Sequence, residues 1–561
     1  MKDTAYKYAL QNAVKYNGKA NPEALIGKIL REKPELKNNL NEVKKLIQEA
    51  VNKVNSMKIE EQLKELNKLA PELLEEKKEE KKDLKELKGA VKGKLITRIP
   101  PEPSKYPHLG HALSFLINYV YAKKYNGKCY LRYEDANPEK VSKEYVDEME
   151  YDLKKYLGIK PTKTLFVSDH MEKMYEYALE LINNGEAYVC SCIQETMRDL
   201  RHKGEDCWCR HRNQDDNLND WKSMLKKKFK EGEKILRLKI DMTNVNHVMR
   251  DPVIFRICLT KHYRKGNKYS VWPTYDFYNV IEDNMIGVNY ILKSNEFGTM
   301  RTELQNHLRK LLNFPIPLEF QYGRFNVNDK ISKGREIKDL IKEGKVNGWD
   351  DPRLITLKAL RRRGIVKETY YELIKEVGLS RTETNLDFDV VAAINRRILD
   401  KTSNRYFFLD DYVKIKIENT KDKEIKLKIH PDAKKEERKF KVNGEFYILK
   451  NDLKNLHPGK LHRLMDCLNF TRKGNKFEFH SWEHKNFKNA ENKGIIMHYL
   501  PVSKDLVNVD VVMGDASVKK GIAESGIKKL KVDDVVQFER MFFARLDEKK
   551  KDKLIFYYSH K

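Results

Sequence analysis

Apolar residues change their period along this chain, and each change marks a different kind of element. Across residues 1 to about 90 they recur at spacings of three and four, as in ALIGKILREKPEL and LNEVKKLIQEAVNKVNSM. That period predicts amphipathic helices, with Leu40, Val43, Leu46, Ile47, Ala50 and Val54 on one stripe. The stretch LLEEKKEEKKDLKELKGAVKGK is almost wholly charged and ends in glycines, the pattern of a solvated helix or tether. From residue 94 short apolar runs alternate with helical periods. KLITRI, CYLRYED and TLFVSD read as strands, and HLGHALSFLINYVYAKKYNG, SKEYVDEMEYDLKKYLG and the segment from Met171 to Gly185 as helices. This order predicts a parallel sheet with helices on its faces. A cysteine-bearing, irregular stretch interrupts at 190 to 250, and alternation resumes with VIFRICL, TYDFYNVIEDNMIGVNYILK and RTELQNHLRKLL. Helices dominate from about 335 to 400. Beyond that the period is two, as in Val413, Ile415 and Ile417 and in Ile425, Leu427 and Ile429. The last 160 or so residues are therefore predicted to be β-rich, as one or two barrels.

At 561 residues the chain is too long for one core. Hydrophobic residues make up 40%, enough for ordinary packing, so wholesale disorder is excluded. The net charge of +27 suits a polyanion, and nucleic acid leads that class. A lysine-rich surface of the kind favoured in warm habitats would give the same excess, so charge alone leaves the partner open. No run approaches the ~18 apolar residues of a membrane span. The N-terminal MKDTAYKYALQNAV lacks a signal-peptide layout, and four of seven cysteines cluster. Together these predict a cytoplasmic protein with a metal site and no membrane partner.

Two segments carry candidate chemistry. In TRIPPEPSKYPHLGHALS, His108 and His111 open a helix directly after a strand, with Gly110 between them. A helix N-terminus concentrates unpaired N–H groups and partial positive charge, so it suits a phosphate. Two imidazoles three apart share one face there and can donate to an α-phosphate. Without a side chain, Gly110 leaves room for a ligand to lie flat. In NDKISKGREI, Lys330 and Lys333 flank Ser332 on a glycine-containing loop, where two ammonium groups can reach a polyphosphate.

Together these motifs resemble the paired HIGH and KMSKS signatures of class I aminoacyl-tRNA synthetases. RIPPEPSKYPHLGHA, LRYEDANP, WPTYDF and GWDDPRLITLKALRRRG are similar to the glutamyl/glutaminyl branch, and VVQFERMFFARLDE and YYSHK to its archaeal glutamyl form. The resemblance implies a multidomain chain. It comprises a helical N-terminal module (1–92), two halves of an α/β Rossmann-like catalytic domain (93–189 and 251–335), and a zinc-knuckle, acceptor-binding insertion (190–250). A helical stem-contact region (336–400) and C-terminal β-barrel anticodon-binding region (401–561) follow. The implied activity is ATP-dependent attachment of L-glutamate to tRNA(Glu), with tRNA(Gln) left open as a second acceptor and Mg²⁺ accompanying ATP. His108, His111, Lys330 and Lys333 would be catalytic. Glu102, Pro103, Ser104, Gly110, Arg324, Phe325, Ile331 and Ser332 would line the ATP pocket. The family usually has glycine where Lys105 stands and leucine where Pro107 stands.

The resemblance further assigns the amino acid to Arg98, Glu134, Tyr275 and Lys293. Glu134 would hold the α-ammonium, and Arg98 would face the side chain. Lys293 aligns with the second side-chain arginine of the glutamate enzymes, and two cations for one γ-carboxylate favour glutamate, because buried charge left unpaired is costly. A glutaminyl enzyme and a non-catalytic tRNA-binding paralogue are the alternatives. Finally, Cys190 and Cys192 precede Cys207 and Cys209 by a short loop, a spacing that converges on a tetrahedral ion, with Zn²⁺ the usual occupant and His211 a spare ligand.

Overall fold

The computed structural model describes residues 2–16, 18–32, 39–73, 84–328, 331, 333–432 and 437–561. It divides into two compact units, Met1–Asp83 and Leu84–Lys561. The first unit holds helices α1 (Lys2–Lys15), α2 (Glu23–Glu32), α3 (Leu40–Asn55) and α4 (Ile59–Leu69). Ala5, Ala9 and Ala13 give α1 a face small enough for close packing against Leu25, Ile29, Val43, Ile47 and Val51. Buried Gln62 caps the end of α3 by donating from Nε2 to Val54 O at 2.8 Å.

The helical module expected over 1–92 ends earlier. Leu84, Leu87 and Ala90 recur every three residues among charges and pack into the core of the second unit. The Leu87 N–H donates to Tyr125 Oη at 2.8 Å.

In the second unit, strands β1 (Ile96–Ile99), β2 (Lys128–Tyr133) and β3 (Thr164–Phe166) form the expected parallel sheet in the order β1-β2-β3. Helix α5 (Leu109–Lys124) crosses between β1 and β2 and buries Leu109, Ala112, Leu113, Leu116 and Ile117 against it. Helix α6 (Lys143–Glu150) connects β2 to β3, and α7 (Met171–Asn183) follows them.

The chain then departs from the parallel order. Strands β4 (Ala187–Cys190), β5 (Ile235–Leu238), β6 (Val253–Ile257) and β7 (Val271–Pro273) form one antiparallel sheet. That sheet spans 187 to 273, past both ends of the insertion expected at 190–250. VIFRICL reads as a parallel strand because its apolar run suits either sheet type, and only its neighbours decide. Helices α8 (Gln194–Lys203) and α9 (Gln214–Leu225) lie between β4 and β5.

Helix α10 (Tyr275–Met285) returns to the parallel layer through β8 (Tyr290–Ser294), α11 (Gly298–Leu311) and β9 (Leu318–Tyr322). β8 pairs in parallel with β9, and the Asn289 N–H reaches Ile96 O at 3.3 Å, so β8 lies beside β1. β10 (Phe325–Val327), α12 (Gly334–Lys342), α13 (Leu357–Arg362), α14 (Lys367–Val377), β11 (Thr384–Leu386) and α15 (Phe388–Leu399) complete this half.

Beyond residue 400 two seven-stranded sheets follow. The edge strands of one, Arg405–Tyr406 and Phe408–Leu409, are joined through Phe407 alone. In the other, Lys493–Met497 and Leu500–Pro501 are separated by two residues. Each sheet therefore curls until its edges meet, which removes most free edge groups. No described helix is long and apolar enough to cross a membrane.

Candidate active site

The imidazole pair is built by the start of α5. His108 is its N-cap, and its Nδ1 accepts from the Gly110 N–H at 3.1 Å. The His108 N–H in turn donates to His111 Nδ1 at 3.2 Å. Both Nδ1 atoms are thus acceptors, which places each ring proton on Nε2. Neither Nε2–H has a hydrogen-bond partner among the described residues, so both remain free for a ligand. Burial, with the nearby cations Lys105 and Arg324, lowers the His108 pKa to about 3. The same causes, together with His108 itself, hold His111 well below the ordinary value. The rings lie 3.8 Å apart between centroids and are neutral at physiological pH.

Gly110 answers to a nearer demand than a ligand. A Cβ there would meet Phe325 O at 2.9 Å and the His108 ring at 3.1 Å, so the glycine lets β10 run against the helix start. The segment after α12 completes the floor. Leu109 N–H donates to Ile355 O at 3.1 Å, Leu357 N–H to Pro107 O at 2.8 Å, and Trp349 stacks on Tyr106 at 4.9 Å. Ser104 Oγ donates to exposed Glu102 at 3.2 Å, and Pro103 is buried. Arg324 pairs with Glu296 at 3.4 Å, near the imidazoles. Lys105 lies against the Cα of Gly334, where a Cβ would meet its Cδ at 2.9 Å, so that side chain bridges the two motifs. On the second motif, Lys330 and Ser332 fall outside the described residues. Ile331 packs beside Ile337 and Leu354, and exposed Lys333 precedes α12.

The expected amino-acid residues converge from four elements. Arg98 ends β1, and its Nε donates to Asp283 Oδ1 at 3.0 Å, while its Nη1 has no hydrogen-bond partner. Asp283 also accepts from Arg132 Nη1 at 2.6 Å and pairs with Arg309 at 3.5 Å. Glu134, at the carboxyl end of β2, accepts from Arg132 Nη2 and Asn279 Nδ2, each at 3.0 Å, and from Tyr278 Oη at 3.3 Å. Burial raises the Glu134 pKa to about 7 against the pull of Arg132. Tyr275 opens α10, its ring 5.8 Å from that of Tyr278 and close enough to Glu134 to feel its charge. Lys293 on β8 is 7% exposed and pairs with Glu319 at 2.9 Å. Both Arg98 and Arg309 act on Lys293 electrostatically, which puts it in the same cradle. Sequence motifs missed Asp283, Arg132, Asn279, Arg309 and Glu319, because single charges on scattered elements carry no local pattern.

The four cysteines come together and His211 does not. The Sγ atoms of Cys190, Cys192, Cys207 and Cys209 lie within 4.8 Å of one another, and none is in a disulfide. Cys190–Cys207 and Cys192–Cys209 are each 3.9 Å apart. Four thiolates at about 2.3 Å from a tetrahedral ion would sit about 3.8 Å apart, so the donor set fits one. Arg237 Nη1 approaches two of the sulfurs at 3.8 and 3.7 Å, and the Ser191 N–H reaches a third at 3.4 Å, which suits negative charge. His211 instead faces Asp206 at 3.3 Å with its side chain 65% exposed. The 3₁₀ turn Trp208–His211 points Cys209 inward and leaves the residue two further on at the surface.

Comparisons with known proteins identify the family. The family model described as tRNA synthetases class I (E and Q), catalytic domain, matches residues 94–401. Two models described as the anti-codon binding domain of the same group match 403–484 and 488–547. The chain is similar to the glutamate–tRNA ligase of Pyrococcus abyssi, at 39% identity over 569 residues covering 99% of each chain. It is 38% identical to the enzyme of that name from Methanocaldococcus jannaschii, over 568 residues and 100% of each chain. For Thermococcus kodakarensis the figure is 38% over 579 residues, again with both chains fully covered.

Proposed function

The chain belongs to the class I tRNA synthetases of the glutamate and glutamine group, and from that membership we propose that it joins L-glutamate to tRNA(Glu) in two steps. An α-carboxylate oxygen of glutamate attacks the α-phosphorus of ATP in line; the bond to the β-phosphate oxygen breaks, giving glutamyl-adenylate and pyrophosphate. A ribose hydroxyl of the tRNA's terminal adenosine then attacks the glutamyl carbonyl, and AMP leaves. Mg²⁺ accompanies ATP and supplies charge neutralisation on its phosphates. Glu102, Pro103, Ser104, Gly110, Arg324, Phe325, Ile331 and Ser332 are the residues this reading assigns to ATP. The Nε2–H groups of His108 and His111 donate to the α-phosphate oxygens as charge grows there. Lys330 and Lys333 draw off the pyrophosphate. Since little covalent chemistry falls to the protein, its contribution is positioning and electrostatics.

The observation that carries this reading is the cradle: a buried carboxylate for the α-ammonium (Glu134) and two buried cations for the γ-carboxylate (Arg98 and Lys293), with Tyr275 near enough to Glu134 and Arg98 to feel both charges. Relatives over the whole length are glutamate–tRNA ligases, so the glutaminyl alternative is not favoured. The anticodon is read by the C-terminal sheets, through stacking on aromatic rings and hydrogen bonds to splayed bases. Aminoacylation with labelled glutamate and, separately, labelled glutamine on tRNA(Glu) and tRNA(Gln) tests the assignment. Glutamate on tRNA(Glu) is expected. Transfer of glutamine, or no transfer, would overturn it, and glutamate on both tRNAs would show a relaxed anticodon reader.

Glu134 makes the activity pH-dependent. Its carboxyl titrates near pH 7, and only the ionised form holds an ammonium group. Because kcat/KM reports the free enzyme, its value for glutamate should fall as pH drops below about 7. Glu134→Gln should lower it on the order of 10²-fold and remove that acid limb, since the amide does not titrate.

The four thiolates would hold a structural Zn²⁺, which ties the end of β4 to the turn at 207–209 and leaves no position open to substrate. Metal analysis of the purified chain should give one zinc per molecule. Cys209→Ser should lose it, with a large drop in the melting temperature of the insertion. His211→Ala should retain it in full.

A further inference from the structure

Lys293 does not offer its ammonium to a substrate unencumbered. Its Nζ lies 2.9 Å from Glu319 Oε2 and donates to Thr302 Oγ1 at 2.9 Å. The ring closes without it: Thr302 Oγ1 donates to Glu319 Oε1 at 2.8 Å, and Gln321 Nε2 donates to the same oxygen at 2.6 Å and to Thr302 at 3.1 Å. Register explains the arrangement. Lys293 of β8 pairs with Gln321 of β9, and Glu319, two residues back, shares the face of Gln321. An ammonium carries three N–H bonds, so one remains for a ligand.

The charges around this ring do not balance. Arg98, Arg132, Arg309 and Lys293 are buried cations, and Glu134, Asp283 and Glu319 are the carboxylates that pair with them. With Glu134 ionised, the form that holds the substrate's ammonium, four positive groups therefore meet three negative ones. Asp276 is matched by Arg301, and Glu282 lies 2.8 Å from His170, whose pKa it raises, so that the protonated imidazole would match it. Leaving one buried charge uncompensated is costly, and a ligand of opposite charge recovers that cost.

We propose that Glu319 sets the substrate charge this cradle accepts: it cancels one of the two side-chain-facing cations and leaves a single positive excess, which a γ-carboxylate neutralises and a carboxamide does not. Glu319 is thus a positioning and specificity-determining residue that acts through Lys293. The inference rests on the glutamate reading of the site. Without Glu319 the excess would be two, and the cradle would depend still more on an anionic side chain. With both Lys293 and Glu319 neutral, a single excess would remain, carried by the arginines alone, but the γ-carboxylate would have lost its second donor.

Activation of glutamate and of glutamine should be measured by pyrophosphate exchange, with tRNA present, in the wild type, Glu319→Gln and Glu319→Asp. In Glu319→Gln the preference for glutamate in kcat/KM should rise on the order of tenfold, through a lower KM for glutamate and not through kcat. Its melting temperature should fall, and saturating glutamate should restore more of it than in the wild type, whereas glutamine should not. Glu319→Asp keeps the charge and should keep the wild-type preference. A lower melting temperature with unchanged preference and unchanged glutamate rescue would mean a structural role only and overturn the proposal. Should Glu319→Gln fail to fold, Lys293→Met with Glu319→Gln replaces the ion pair by uncharged groups. Lys293→Met alone leaves no excess and the double variant leaves one, so the double variant should keep on the order of tenfold more of the preference for glutamate than Lys293→Met, and an equal preference in the two would overturn the proposal. If the wild type activates neither amino acid, the glutamate reading itself fails and this inference falls with it. If the wild type charges tRNA normally while the variants do not differ, only this inference fails.

Discussion

Replacing both His108 and His111 by alanine is expected to lower the rate of adenylate formation by on the order of 10²- to 10³-fold, with the KM for ATP little changed. The reason is the differential timing of the interaction. Each ring is neutral and already fixed through Nδ1, so each Nε2–H costs no reorganisation when charge develops on the α-phosphate. Single-turnover pyrophosphate exchange would show the loss directly. A rise in KM with kcat preserved would instead mean that the imidazoles bind ATP without favouring the transition state. The low pKa of His108 adds a second expectation. Above pH 6 the imidazole pair should contribute no ionisation to the kcat profile, since both rings stay neutral from there down to well below the ordinary histidine range.

Asp283→Ala should be the most damaging single change to stability in the catalytic half. Its carboxylate receives Arg98 and Arg132 directly and pairs with Arg309, so alanine takes an ion-pair partner from three buried guanidinium groups, of which Arg132 alone keeps Glu134 at 3.0 Å. Breaking a buried pair by removing one partner costs about 3–5 kcal/mol. Denaturant unfolding should show that loss, and glutamate activation should collapse with it because Arg98 loses its support. Burial alone would raise the Asp283 carboxyl, but Arg98, Arg132 and Arg309 overcome that and hold its pKa below the usual carboxylate value. A carboxyl that is more acidic folded than unfolded contributes stability that is present above the unfolded pKa, near 3.9. That contribution is lost as pH falls through the folded value. The wild type should therefore lose stability on acidification below about pH 4 by a contribution that Asp283→Asn lacks.

The sequence signals that succeeded are local ones. His108 and His111 stand three apart on one helical turn, and helical geometry alone brings their rings together. Cys190, Cys192, Cys207 and Cys209 meet because two close pairs on a short loop have few other places to go. The alternation from residue 94 gave β1, α5, β2 and β3 for the same reason, since each element is written in its own period. VIFRICL shows the limit: an apolar run fits a parallel or an antiparallel neighbour equally well, and only the fold shows that it pairs antiparallel with β5 and β7. Likewise the 84–93 segment reads as the end of a charged tether, although Leu84, Leu87 and Ala90 are spaced to pack into the core that α5 also lines.

Gly110 and His211 depend on residues that their own spacing does not record. Gly110 is small because the backbone of Phe325, more than two hundred residues later, passes against it, and His211 is excluded from the metal set because the turn at 208–211 rotates it toward Asp206. What the chain determined by itself was its periods, its histidine pair and its set of four cysteines, each fixed by neighbours within about twenty residues. What only the tertiary structure decided was the charge balance of the amino-acid cradle. Arg98, Arg132, Glu134, Asp283, Lys293, Arg309 and Glu319 come from six separate elements, and electrostatic energy depends on the distance between charges in space, which no spacing along the sequence records.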